Sequence, residues 1–233
     1  LPIYPSFFPI AVYLQTPENA PRYRAIGINT YIELWQGPTE EQLAELRKHD
    51  MKLICHQNEV ALRHLDDPMI VGWSHIDEPD NAQSMERVWK NDLDAIRKAW
   101  PNEKQWHERT AEEWGQWGPP YSPGQVISRY EEVVANDPTR PVYCGLGVGV
   151  AWDEWQGRRR ADHPEDYPQY IRGANIVGFD IYPFAHRNKE VLGRVHYVPY
   201  GVRRLVNWSQ GRNIVWNSLE CTAIAYPDRR PTP

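Results

Sequence analysis

The chain is predicted to fold as a (β/α) barrel, and three observations predict it. Short apolar segments recur along its length, at 8–14, 27–35, 51–57, 70–76, 142–148, 175–182 and 213–220. Segments with helical character separate most of them, the alternation expected of a parallel sheet with helical crossovers. The length, 233 residues, suits one α/β barrel domain. Seven such segments are one short of the eight that close a barrel. The chain stops at Pro231-Thr232-Pro233, a lead-in to one more helix and strand. The expectation is therefore a single barrel domain over 1–233, truncated at its C-terminus and lacking the eighth strand. No internal repeat or linker marks a second domain.

The first strand is expected over 8–14, followed by a short helical or looped piece at 18–25. In the second strand, alternation places Ile28, Ile32 and Leu34 on one face and Asn29, Tyr31, Glu33 and Trp35 on the other. In a barrel the first set would meet the helices and the second would point inward. Gly37-Pro38 breaks the chain. Thr39 then caps a helix at 40–49, with Gln42 in the capping-box position. Strand three covers 51–57, and a short helix follows at 58–65.

Strand four runs into Asp77-Glu78-Pro79, two acids and a proline where the strand stops. A long helix is expected at 82–100, ended by Pro101, and an irregular Trp- and Glu-rich excursion at 102–122. Pro123 opens a helix to about 136 as its first residue. Strand five follows at 142–148, then loop and broken helix at 152–170 and strand six at 175–182. A helix at 200–209 precedes strand seven at 213–220.

Composition excludes several classes. The net charge of −5 and the absence of long basic runs argue against nucleic acid and anionic membranes as partners. No apolar run is long enough to span a bilayer. Cys55, Cys144 and Cys221 have no metal-ligand spacing and read as small buried hydrophobes. The chain begins at Leu1 with no targeting segment, so a processed or trimmed start is expected, with a secreted or periplasmic setting favoured. Eleven Trp and thirteen Tyr against four Phe favour rings with a polar edge. Such rings suit a sugar's apolar face and hydroxyl rim. They equally suit the core of a large barrel.

Active residues of such barrels lie at the C-terminal strand ends. Those ends carry Glu33, Trp35, His56, Asp77, Glu78, Asp180, Tyr182 and Glu220. Acids on doubly buried strands cost desolvation and need a reason. Glu78 and Glu220 each end a strand. Two carboxyls across a barrel mouth meet the requirement for glycoside hydrolysis: one protonated to donate to the leaving oxygen, one ionised to attack or to activate water. No His-x-His on strand one and no His-Glu-x-x-His accompany His56, His75, Asp77 and Asp180, so no metal site is expected. No Gly-x-Ser-x-Gly is present. Gly145-Leu146-Gly147-Val148-Gly149 opens no clear helix, so neither nucleotide nor other cofactor is expected.

Asp77-Glu78-Pro79 on strand four and Trp216-Asn217-Ser218-Leu219-Glu220 on strand seven resemble the retaining (β/α)8 glycoside hydrolases of clan A, which include β-galactosidase-like and cellulase-like enzymes. Asp137-Pro138-Thr139-Arg140-Pro141 and Phe179-Asp180-Ile181-Tyr182-Pro183 resemble uncharacterised bacterial members of that superfamily. The resemblance implies Glu78 as acid/base, Glu220 as nucleophile and a Tyr182 hydroxyl bonded to that nucleophile. It implies a glycoside or oligosaccharide as substrate. Asp77, Tyr182, Trp35, Trp216, Glu33, His56 and Asp180 are the candidates for binding it, with Asp180 expected to orient backbone or an arginine. The chain departs from the clan in two places. Asp77 stands where the clan has an Asn that reads the sugar 2-hydroxyl, and its charge would raise the proton affinity of Glu78. The eighth strand, which normally supplies an aromatic floor, is missing. The competing expectation is a carbohydrate-binding barrel without turnover, or an incomplete barrel.

Overall fold

The computed structural model describes residues 7–221. It is an α/β protein whose seven described strands form one sheet in sequence order. They are β1 (Ala11–Tyr13), β2 (Thr30–Ile32), β3 (Lys52–His56), β4 (Ile70–Ser74), β5 (Val142–Leu146), β6 (Ile176–Phe179) and β7 (Ile214–Val215). Parallel pairing is explicit from β1 through β5 and between β6 and β7. Sequential parallel order is that of a (β/α) barrel. An eighth strand is not among the described elements. The helices are α1 (Ala20–Ala25), α2 (Glu40–Lys48), α3 (Glu59–Arg63), α4 (Leu93–Ala99), α5 (Lys104–His107), α6 (Ala111–Trp114), α7 (Pro123–Asn136), α8 (Tyr167–Tyr170) and α9 (Tyr197–Ser209).

The described residues divide into two compact units, the first from 7–75 and 129–143, the second from 76–128 and 144–221. In the first unit Tyr31, Leu43, Leu46, Leu53, Cys55, Trp73, Val133 and Val142 make one buried cluster. The Thr39 capping box forms as expected, with the Thr39 hydroxyl on the Gln42 amide and the Gln42 side chain on the Thr39 amide. The 137–141 motif has a structural role here. Asp137 accepts from the Trp73 indole (2.9 Å), Arg140 (2.7 Å) and Thr139, while Arg140 also donates to the Ile70 carbonyl (2.7 Å). Burial alone would push Asp137 up, but these bonds outweigh it and hold its carboxyl at about 2. Gly72 is needed in β4 because a Cβ there would lie 3.1 Å from the Pro141 carbonyl and 3.2 Å from Ile54.

The inward-facing assignment of Tyr31 is overturned. Its ring packs edge-on against Tyr23 of α1, and its hydroxyl donates to the Thr16 carbonyl. The face assignment fails because the regular strand is only three residues long and Glu33 leaves it at a φ of 59°.

The second unit has two clusters. One gathers Cys144, Leu146, Val148, Trp152, Tyr167, Val177, Phe179 and Leu205 around β5, β6 and α9. The other is a tryptophan core shared by the 82–100 segment and the excursion after it, from Met85, Trp89, Ile96, Trp100, Trp106 and Trp114. The expected helix over 82–100 is not formed. Lys90 and Asn91 both take φ of 55°, which ends any helix there, and Asp92 caps a new one through the amides of Asp94 and Ala95. Ser84 instead bridges to Trp117. Strand seven is regular for only two residues, but its ladder continues as Trp216 N to Val177 O (2.8 Å) and Ser218 N to Phe179 O (3.1 Å).

Candidate active site

Beyond the end of β4 the chain turns sharply. The Glu78 amide bonds the Gly145 carbonyl (2.9 Å), and the Asn81 amide returns to the Glu78 carbonyl (3.0 Å). Glu78 sits at a φ of 41°, a left-handed conformation that costs a non-glycine residue about 1–3 kcal/mol. The turn therefore holds Glu78 against its backbone preference. Its carboxyl lies against Gly147 at the end of β5, where an added Cβ would meet Glu78 Oε1 at 3.1 Å and Asn81 Nδ2 at 2.7 Å. Glycine is what allows that approach.

Asp180 follows β6, with its amide on the Leu146 carbonyl (3.1 Å). Its Oδ2 receives a hydrogen bond from the Tyr182 hydroxyl, its Oδ1 is buried without a partner among the described residues, and the Glu78 carboxyl is near enough to act on its proton affinity. Burial, then Asp180, then Asp80 and Asp77, push the Glu78 carboxyl far above its ordinary value of 4.5. Burial pushes Asp180 up as well, opposed by Glu78 and by the bond from Tyr182. Burial and the surrounding carboxyls thus favour the proton on Glu78, while the bond from Tyr182 favours the ionised form of Asp180. Burial and Asp180 also push the Tyr182 phenol up, so it stays a donor.

Three expectations change here. The Asp180 side chain accepts from the Tyr182 hydroxyl and acts on Glu78, and no arginine among the described residues is bonded to it. Tyr182 gives its single hydroxyl proton to Asp180 rather than to Glu220. Asp77 is exposed, and of the named contributors to the Glu78 shift it is the smallest. The Glu220 carboxylate accepts from the Phe184 amide through Oε2 (2.9 Å). Its Oε1 is buried without a partner among the described residues. Trp216 is partly buried.

Sequence reasoning missed Asp80. It is fully buried and accepts from the Gly147 amide and the Tyr167 hydroxyl, both at 2.8 Å. It thereby ties the Glu78 turn to the end of β5. It also missed an aromatic group beside that turn. The Trp155 indole donates to Asn81 Oδ1 (2.7 Å), and His186 meets Trp155 and Trp152 edge-on at 5.4 and 6.2 Å. Burial pushes His186 down, and its Nδ1 accepts from the Asn188 amide, so a neutral ring with its proton on Nε2 results. The Asp-Glu-Pro-Asp run held the only available signal for Asp80.

The first unit brings together Glu33 and His56, from the ends of β2 and β3, with Nε2 and Oε2 3.1 Å apart. The Glu33 hydrogen bond, against the opposing effect of burial, pushes the imidazole up. Trp35 is largely exposed. A cavity of about 390 Å³ in this unit is lined by Gln57, Arg129, Glu132, Val133, Ala135 and Asn136, and includes none of the candidate acids. Among the described residues, no group of three or more His, Cys, Asp or Glu is placed to hold a metal ion.

No protein-family model matches the chain, and no curated protein does. Solved structures do. The cold-adapted β-galactosidase from Rahnella sp. R3 is similar over 96% of this chain and 46% of its own, at 13% identity and a TM-score of 0.51. A GH2 β-galacturonidase from Eisenbergiella tayi bound to galacturonate is similar over 89% and 34%, at 12% identity and 0.45. A β-glucuronidase from Parabacteroides merdae follows at 88% and 23%, 11% identity and 0.42. The chain spans less than half the length of each of these. The first likeness shows a shared fold: the chain has the α/β fold found within that β-galactosidase.

Proposed function

We propose that this chain carries retaining glycoside-hydrolase chemistry, with Glu78 as acid/base and Glu220 as nucleophile, acting on a glycoside or oligosaccharide. The observation that carries the reading is the placement of the Glu78 carboxyl beyond β4 and against Gly147, where burial and surrounding carboxyls push its proton affinity up. A general acid must be protonated at the pH where it works, and an isolated exposed Glu is not. The fold shared with a protein named as a β-galactosidase agrees with it.

In the first step Glu78 gives its proton to the leaving glycosidic oxygen while Glu220 attacks the anomeric carbon. Phe184 orients Glu220 through one oxygen and leaves Oε1 for attack. In the second, Glu78, now a carboxylate, takes a proton from water as that water displaces Glu220.

A panel of aryl glycosides tests the activity. Azide rescue of Glu220→Gly, giving a glycosyl azide of inverted anomeric configuration, tests the nucleophile. In a trapped glycosyl-enzyme, a retaining pair requires carboxyls about 5–5.5 Å apart. Wild-type turnover by Glu220→Gln would sink the assignment. Saturable sugar binding without hydrolysis would instead favour a carbohydrate-binding barrel.

A further inference from the structure

We infer that Asp180 is a positioning residue for Glu78: fixed by the Tyr182 hydroxyl and facing the Glu78 carboxyl at the end of β5, it keeps the transferable proton on Glu78. The inference rests on the acid/base reading of Glu78 and deepens it.

The placement comes from backbone. Glu78 and Asp180 abut consecutive residues of one strand end. Glu78 packs on Gly147 and bonds the Gly145 carbonyl, and the Asp180 amide bonds the Leu146 carbonyl. Ladder contacts from Ser218 to Phe179 and Asp180 hold the Asp180 side from β7. The titratable groups acting on Glu78 are Asp180 and Tyr182 from beyond β6, and Asp77 and Asp80 from its own turn. The end of β5 presents Gly145, Leu146, Gly147 and Val148, none of them titratable.

Two carboxyls this close cannot both ionise cheaply, so one keeps a proton. Which one keeps it depends on the other bonds each makes. Asp180 already accepts the Tyr182 hydroxyl, which favours its ionised form. The proton is thereby assigned to Glu78, the member expected to face the leaving group. When Glu78 delivers that proton, the repulsion from Asp180 rises, which favours recovery of a proton from water in the second step.

The inference predicts shifts of the same sign and different size. Asp180→Asn removes the charge and lowers the Glu78 proton affinity. Tyr182→Phe removes the donor that favours ionised Asp180, so Asp180 competes for the shared proton and Glu78 holds it less firmly, by a smaller margin. The test is an NMR titration of the full chain carrying ¹³C-carboxyl glutamate, with the Glu78 signal assigned by its loss in Glu78→Gln. The expected result is a wild-type Glu78 titrating well above the exposed glutamates. It falls at least about tenfold in proton affinity in Asp180→Asn, one unit, and falls by less in Tyr182→Phe. A wild-type Glu78 titrating with the exposed glutamates overturns the inference. So does an Asp180→Asn titration that stays put, or a rise of the Glu78 titration in Tyr182→Phe. If Asp180→Asn does not fold, the wild-type and Tyr182→Phe titrations still decide. Aryl-glycoside hydrolysis is measured in parallel. A wild type that titrates as expected but hydrolyses nothing removes the acid/base reading and leaves the Asp180 assignment standing.

Discussion

Two strand ends of this molecule use the same backbone device and reach opposite electrostatic outcomes. Glu33 follows β2 at a φ of 59°, and Glu78 follows β4 at a φ of 41°. Each carboxyl is turned out of regular strand geometry and partly or wholly removed from water. Glu33 meets an imidazole whose proton affinity it raises, so its charge is offset when that ring is protonated. Glu78 meets carboxyls, and a bound proton removes its charge altogether. A buried acid needs either a counter-ion or a proton. The first arrangement makes a carboxylate–imidazole pair that links two strand ends. The second makes an acid able to give its proton away.

Glu78→Gln attacks the comparison at its strongest point. It keeps shape but has no proton to transfer, so kcat should fall about 10²–10⁴-fold on a substrate with a poor leaving group. The same change should stabilise the fold. Folded Glu78 keeps its proton while the unfolded chain loses it above about pH 4.5, so wild-type stability falls as pH rises beyond that value. The melting temperature of Glu78→Gln should therefore exceed that of wild type by a margin that widens from pH 5 to pH 8. A margin that narrows would contradict a protonated Glu78.

Asp80→Ala removes a buried acceptor of two hydrogen bonds and leaves the Tyr167 hydroxyl and Gly147 amide unpaired. A loss of about 3 kcal/mol is expected in denaturant unfolding. Gly147→Ala sharpens the geometric side of the contrast. Its Cβ would crowd Asn81 and Glu78, and about a tenfold drop in kcat is expected from misplacing the acid. A fully active Gly147→Ala would mean that the acid tolerates displacement.

His56→Gln tests the other strand end and should do least. The His56 pKa is raised on folding, so its stabilisation is fully present below the unfolded value of about 6.5 and is lost as pH rises through the folded value. The substitution should destabilise at pH 5.5 and be nearly neutral at pH 9. The imidazole is 43% exposed, so the effect should stay under about 1 kcal/mol.

The parallel sheet in sequence order was legible, because apolar segments and helix caps are local signals. The Thr39 capping box and the Pro123 start of α7 formed where the sequence placed them. The helix over 82–100 was misread because its apolar residues suit a small tryptophan core as well as a helix face. Only Lys90 and Asn91 at positive φ, with the Asp92 cap, decide between the two. The acids at strand ends were identified as functional candidates. Their partners were not. Asp180 was expected to orient backbone or an arginine, and Tyr182 was matched to Glu220, yet the two meet each other.

By itself the sequence determined which residues stand at strand ends and that several are acidic, because strand boundaries follow from apolar runs and chain breakers. Tertiary structure decided which acid meets which. Glu78 and Asp180 lie far apart along the chain and come together because both anchor to neighbouring carbonyls at the end of β5. A proton affinity depends on charges and burial within a few ångströms, whatever their distance in sequence. It was therefore fixed by the fold alone.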